Sequence, residues 1–165
     1  MKLFLLRHAK AVDTLPDENR TLAPFGISQI ERLCKSIDKE HFYNTIQIWH
    51  SPYLRTKQTA EIFKREIGLE STTIEVPNIT PYDTPFETAR TIGALSSFGG
   101  DLLIVSHNPF LEGLANILLN ANSDVPRITF RTSTLAALIL QEEPNDDNPY
   151  GVWSADFIIN PSILI

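Results

Sequence analysis

The sequence predicts an α/β fold: a three-layer sandwich with a mostly parallel central sheet, helices on both faces and an antiparallel pair of strands at the carboxyl end. Three observations point there. Short apolar runs alternate with longer segments of helical periodicity, the order of βαβ units. Two of those runs, Leu3-Phe4-Leu5-Leu6 and Leu102-Leu103-Ile104-Val105, are apolar without alternation, as strands covered on both faces are. The last two strand candidates are joined only by Glu142–Gly151, a polar stretch with two prolines, which predicts an antiparallel return.

The first strand is Lys2–Leu6. Its apolar run stops at Arg7-His8, short of the roughly 7–15 residues of an export signal's core. A helix follows near Pro24–Glu40; Cys34 lies in its IERLCKSI pattern and reads as a buried small hydrophobe. Then come a strand at Thr45–Trp49, a helix near Pro52–Ile67, a strand at Thr73–Val76 and a helix near Pro85–Ser97. A strand at Asp101–Ser106, a helix near Pro109–Leu119, and the strands Thr134–Gln141 and Val152–Ile158 complete the pattern. Trp49 and Trp153 read as core or edge packing, and the acidic run Glu142–Asp147 as a solvated loop. Thr14–Ala23 and Asn120–Arg131 are the longest irregular stretches, of the kind that often carries function. With no repeat, low-complexity tract or dividing linker, residues 1–165 read as one domain. The apolar tail Ile163-Leu164-Ile165 packs either on the core or on another subunit.

Charge and composition exclude some functions. Twenty acidic residues against 14 lysines and arginines leave a net charge of −6, which argues against general nucleic-acid binding. No segment approaches the roughly 20 apolar residues of a membrane helix. One cysteine permits neither an intramolecular disulfide nor a cysteine-based zinc site, and fits a reducing compartment, so a cytoplasmic protein is expected.

Three helix starts share a form: Ser51-Pro52, Thr84-Pro85 and Asn108-Pro109 each set a capping side chain before a proline suited to the first helical position. Two of them, Ser51-Pro52 after His50 and Asn108-Pro109 after His107, follow directly on a strand that ends in histidine. Strand one runs into Arg7-His8, and the strand ending at Ser106 runs into His107-Asn108-Pro109. Both histidines therefore fall at the carboxyl edge of the sheet, where open α/β sheets bind ligands. If the strands are neighbours, the two imidazoles converge. Arg55 falls in the first turn of the helix after Ser51-Pro52. A cation there opposes the helix dipole and points to a compensating anion, which the free N–H groups of that terminus already favour.

Two arginines, two histidines and two helix starts at one edge make a phosphate site. Phosphoryl transfer spreads charge over three oxygens, and arginine meets it with a permanently charged fork of donors. Histidine is a nucleophile near neutral pH, more so when adjacent cations disfavour its protonated form. Singly, each residue has a plainer reading: a solvated strand end, Arg55 paired with a carboxylate such as Glu61, His107 holding a loop. His50 reads as a loop or core residue and His41 as a surface one.

With Leu6-Arg7-His8-Ala9-Lys10-Ala11, Asp17-Glu18-Asn19-Arg20-Thr21-Leu22 through Gly26, Ser51-Pro52-Tyr53-Leu54-Arg55 through Gln58-Thr59-Ala60, and Val105-Ser106-His107-Asn108-Pro109, the chain resembles the histidine phosphatase superfamily, and within it the short SixA-type phosphohistidine phosphatases. The resemblance implies a phosphoglycerate mutase-like fold, His8 as the nucleophile that becomes phosphohistidine, and Arg7, Arg55 and His107 as the rest of the phosphate pocket. It aligns Arg20 with an arginine near the pocket; Asn108 and Ser51 are further candidate substrate-binding residues. The family usually has Gly after its Arg-His pair, and Ala9 stands there here.

Ester hydrolysis gains from a general acid. Asp83 and Glu87 are the candidates; Glu87 also reads as the far end of a capping box, Thr84-Pro85-Phe86-Glu87. A chain without a committed acid suits phosphohistidine, whose imidazole leaves more readily than an alkoxide. The expected substrate is then a phosphorylated protein, met without cofactor or metal. The alternatives are a small phosphomonoester or recognition of phosphorylated partners without turnover. A metal site of His8, His50 and His107 is disfavoured because Arg7 and Arg55 would repel a dication.

Overall fold

The computed structural model describes residues 1–121 and 123–164. Strands β1 (Lys2–Arg7), β2 (Thr45–His50), β3 (Thr72–Glu75), β4 (Asp101–Ser106), β5 (Leu135–Glu142) and β6 (Val152–Ile159) form one sheet of order β3-β2-β4-β1-β5-β6. The first four run parallel to one another, β5 is antiparallel to β1, and β6 is antiparallel to β5.

The unbroken apolar runs are divided between two faces by the two-residue period of a strand. Leu3, Leu5, Leu102 and Ile104 pack against α3 (Phe86–Leu95) and α4 (Phe110–Leu118). Phe4, Leu6, Leu103 and Val105 pack against α1 (Pro24–Ser36) and α2 (Leu54–Ile67). All eight strand residues are buried, each contributing about 1.5–3 kcal/mol. The layers are those the sequence predicts. Trp49, Trp153 and Cys34 lie in these cores, and burial pushes the Cys34 thiol up to about 12.

The elements differ from expectation chiefly at their ends. The helix expected to Glu40 stops at Ser36, because Asp38 accepts a hydrogen bond from the Glu40 N–H and starts a separate 3-10 turn, Lys39–Phe42. That turn buries Phe42. The helix expected to Ser97 ends at Leu95 and passes into another 3-10 turn, Ser96–Phe98.

The three caps do not form as expected. Helices α2, α3 and α4 begin at Leu54, Phe86 and Phe110, preceded by Tyr53, Pro85 and Pro109 in the cap position, with no side-chain cap hydrogen bond at any of them. The Glu87 capping box is therefore absent. Ser51 Oγ is shared between the Tyr53 N–H and the His107 ring, and the Asn108 side chain donates to Glu112 and to the Phe130 carbonyl.

In the tail, Leu164 packs on the α1–α2 core and Ile163 is exposed; the expectation for Ile165 lies outside the described residues, as does Asn122 of the Asn120–Arg131 stretch. No helix among the described residues is long and apolar enough to cross a membrane.

One close approach seats α1 beside the histidine at the end of β1. A Cβ on Gly26 would lie 2.1 Å from the Lys10 carbonyl oxygen and 2.8 Å from its nitrogen. Backbone cannot yield as a side-chain tip does. Gly26→Ala is expected to lose about 1–3 kcal/mol in urea denaturation; an unchanged midpoint would mean that α1 does not rest on the segment after β1.

Candidate active site

β1 and β4 pair with Arg7 opposite Ser106, so the residues that follow emerge side by side. The His8 N–H donates to the Ser106 carbonyl at 3.0 Å, and the His8 and His107 rings lie 5.1 Å apart between centroids.

His8 is half-buried, with a defined tautomer. Its Nδ1 lies 2.8 Å from the Ala9 carbonyl oxygen, which can only accept, so Nδ1 carries the proton. Nε2 is left with its lone pair, and Arg55 Nε donates to it at 3.3 Å. Thr59 braces both neighbours: its Oγ1 accepts from the Ala9 N–H at 3.0 Å and donates to the Arg55 carbonyl at 2.7 Å.

His107 is almost wholly buried. Its Nε2 lies 2.7 Å from Ser51 Oγ, which accepts the Tyr53 N–H at 3.2 Å. The pattern that uses every group has the hydroxyl donating to Nε2 and the imidazole proton on Nδ1. That Nδ1 is buried without a partner among the described residues, as is Nε of Arg7. Arg7 is anchored by Nη1, which donates to the Phe130 carbonyl at 2.7 Å. Buried polar atoms are rarely left unpaired. Both orphans are buried nitrogens on residues that adjoin the nucleophile candidate His8, and an N–H there suits an oxyanion.

Tyr53 walls the other side, edge-on to His107 at 4.9 Å and beneath the Arg55 guanidinium at 4.8 Å. Burial, aided by Arg55, Arg7 and Arg20, pushes the His8 pKa down to about 3 against the opposing Ala9 hydrogen bond. Burial also pushes His107 down to about 2, with His8, Arg55 and Arg7 adding to the effect. Both imidazoles are therefore neutral near pH 7. Burial lowers Arg7 as well, with Glu112 opposing and Arg55 assisting the shift.

A family model, the histidine phosphatase superfamily (branch 1), matches residues 3–76, the segment holding Arg7, His8 and Arg55. The phosphohistidine phosphatase SixA of Escherichia coli (strain K12) is 29% identical over 147 residues, 88% of this chain and 89% of that protein. The chain is thus similar to histidine phosphatases, in its amino-terminal part by the family model and over most of its length by this relative. Its fold is that of a solved structure of the protein histidine phosphatase SixA complexed with tungstate, with TM-score 0.85, 23% identity and 100% coverage of both chains. A phosphoglycerate mutase from Bacillus anthracis shares the fold more distantly, with TM-score 0.64, 11% identity, and 94% of this chain and 91% of that one covered.

In this fold the remaining candidates occupy different places. Ser51 has no exposed surface and serves His107 from behind. Asn108 donates through Nδ2 to Glu112 at 2.8 Å and to the Phe130 carbonyl at 2.9 Å, so one carbonyl ties Asn108 to Arg7. Arg20 is spent on its own loop, donating to the Val12 carbonyl at 2.7 Å and to Asp17 at 3.0 Å.

Asp83 turns inward on its own turn, accepting from the Thr80 N–H at 2.8 Å and the Thr80 hydroxyl at 2.6 Å. Glu87 is exposed on α3. Neither carboxylate is shown reaching His8. His50 is buried with Nδ1 on the Ser51 carbonyl, and His41 is exposed. A surface depression of about 730 Å³ is lined by His50, Lys57, Lys64 and neighbours and includes none of Arg7, His8, Arg55 or His107. An open anion site is shallow, and volume is a poor guide to it.

Sequence reasoning missed Asp17 as the partner of Arg55, naming Glu61 instead; Glu61 is exposed on α2 and Asp17 lies 3.1 Å from Arg55 Nη2. It also missed Glu112, although the four-residue spacing from Asn108 was visible.

The lowered imidazoles set a pH dependence. The unfolded chain takes up protons below about 6.5, whereas folded His8 and His107 resist until about 3 and about 2. The unfolded state then holds more protons, so stability falls as pH drops through that window. The urea midpoint of the phosphate-free protein should fall between pH 6.5 and 4, and less steeply in a His8→Gln, His107→Gln double variant. Equal slopes would mean that the imidazoles titrate normally in the fold.

Proposed function

We propose that this chain removes the phosphoryl group from phosphohistidine on a protein, in two steps through His8, acting as one histidine phosphatase domain in the cytoplasm without cofactor or metal. The observation that carries the reading is the state of His8: a neutral imidazole with its proton fixed on Nδ1 and its Nε2 lone pair facing Arg55, beside the orphaned donors of Arg7 and His107. That is a neutral nucleophile whose lone pair is held by an arginine donor, beside further donors for oxygens.

In the first step the Nε2 lone pair forms a bond to phosphorus as the bond from phosphorus to the substrate nitrogen breaks. The electron pair leaves with the substrate ring, which departs as neutral imidazole when its other nitrogen already holds a proton. The Ala9 carbonyl stabilises the charge that His8 acquires. Arg7, Arg55 and the Nδ1–H of His107 meet the three equatorial oxygens, the place where electrostatic stabilisation counts most. In the second step water attacks phosphorus, the bond to Nε2 breaks, and phosphate leaves with the water's oxygen.

The substrate class is favoured by the missing acid. An alkoxide needs a proton donor worth typically ~10²–10⁴-fold, and Asp83 is held by Thr80. Imidazole departs without one. The SixA relative is named a phosphohistidine phosphatase, and the solved SixA structure carries tungstate, an oxyanion with the shape of phosphate. The single cysteine, buried in the core, fits a reducing compartment.

The test uses a protein phosphorylated on histidine with radioactive phosphate. Wild-type chain should acquire an acid-labile label and release phosphate, and His8→Ala should do neither. Arg55→Ala should lower kcat/KM by about 10²–10³-fold, the cost of removing a donor to developing charge. Asp83→Asn and Glu87→Gln should leave turnover within about twofold, since no proton-transfer step is lost. Faster turnover of small phosphoesters that depends on Asp83 would reassign the substrate, and binding without label would make the chain a recognition module.

A further inference from the structure

We propose that Asp17 is a positioning residue for the phosphate-binding guanidinium of Arg55, and that it does this as a bridge between Arg55 and Arg20. The proposal rests on Arg55 as a phosphate ligand and adds what aims it.

Arg55 lies at the start of α2 with its side chain almost wholly buried, and its nitrogens can be followed one by one. Nη1 donates to the Asp17 backbone carbonyl at 2.7 Å, and Nη2 donates to Asp17 Oδ2 at 3.1 Å. Nε donates to His8 Nε2 at 3.3 Å. One residue thus grips the outer edge of the guanidinium by two groups while the inner edge faces the nucleophile. A planar fork held at two nitrogens has its direction set.

Asp17 is itself held. Its second oxygen, Oδ1, accepts from Arg20 Nη1 at 3.0 Å, and Arg20 Nε donates to the Val12 carbonyl at 2.7 Å. The Val12 N–H donates to the Thr21 carbonyl at 2.9 Å, closing the loop on itself. Despite some burial, Arg20 and Arg55 hold the Asp17 carboxyl below its usual range, so it is an anion at neutral pH. Arg20, aligned by family with the pocket, then reaches the site at one remove: it fixes the carboxylate that fixes Arg55.

The sign of the effect separates positioning from mere proximity. A carboxylate next to a phosphate site repels the ligand, so a bystander Asp17 would weaken phosphate binding and its removal would tighten it. A positioning Asp17 does the reverse. A carboxylate that only pins the loop would change stability without coupling to Arg55.

The experiment measures affinity for inorganic phosphate by calorimetric titration in wild type, Asp17→Asn, Arg55→Ala and the double variant, with thermal midpoints alongside. Asp17→Asn should weaken phosphate binding about tenfold, the size of one charged hydrogen bond. In the Arg55→Ala background the same change should cost less than about twofold, because the group it acts through is gone. Unchanged or tighter binding in Asp17→Asn, or an equal loss with and without Arg55, overturns the proposal. If Arg55→Ala leaves phosphate affinity untouched, the phosphate-ligand reading of Arg55 fails first and the proposal falls with it. Should Asp17→Asn not fold, Arg20→Gln frees the far oxygen of the bridge. It should weaken phosphate binding about threefold, less than the loss of the carboxylate itself, and no change would overturn the bridge.

Discussion

Two imidazoles with centroids 5.1 Å apart, beside the buried guanidinium of Arg55 and the half-buried one of Arg7, can share a site only while the imidazoles stay uncharged. That condition shapes the rest of the structure. Each ring is given a partner that leaves it neutral: a carbonyl acceptor for Nδ1 of His8, a serine hydroxyl for Nε2 of His107. Each then presents one useful atom, a lone pair on His8 and a donor on His107. The electrostatic cost of gathering cations is met in part by Asp17 and Glu112, which stand behind Arg55 and Arg7.

The scaffold makes this arrangement rigid without using a deep cavity. Parallel pairing of β1 with β4 delivers both histidines to the same edge, and the apolar residues before them are locked into two cores. The supporting contacts come from far along the chain: Thr59 from α2 braces Ala9, and the Phe130 carbonyl takes both Arg7 and Asn108. Among the described residues Nε of Arg7, Nδ1 of His107 and Oδ1 of Asn108 are buried without partners, and burying such groups costs stability. Sites built for a transition state commonly carry such a deficit.

Much of the fold was legible because strand and helix periods are local properties of the chain. The runs at Leu3 and Leu102 could be assigned to a doubly covered sheet from composition alone. The histidines, Arg7 and Arg55 were legible for a related reason: each follows an element boundary marked by its own sequence. Helix starts were read less well. Ser51 and Asn108 look like caps in isolation, yet a buried imidazole and a carbonyl from the 130 region compete for them. Glu61 looked the natural partner for Arg55 by proximity in the chain, and the loop carrying Asp17 reaches it first in space.

The sequence by itself determined the layers, the order of the elements and the likeness to histidine phosphatases, since hydrophobic period and short motifs are written along one dimension. Tertiary structure alone decided which nitrogen of each histidine carries its proton, which carboxylate holds Arg55, and that Asp83 turns to Thr80. Those outcomes depend on hydrogen bonds between segments distant in the chain. Such bonds are won by whichever partner the packed cores bring within about 3 Å.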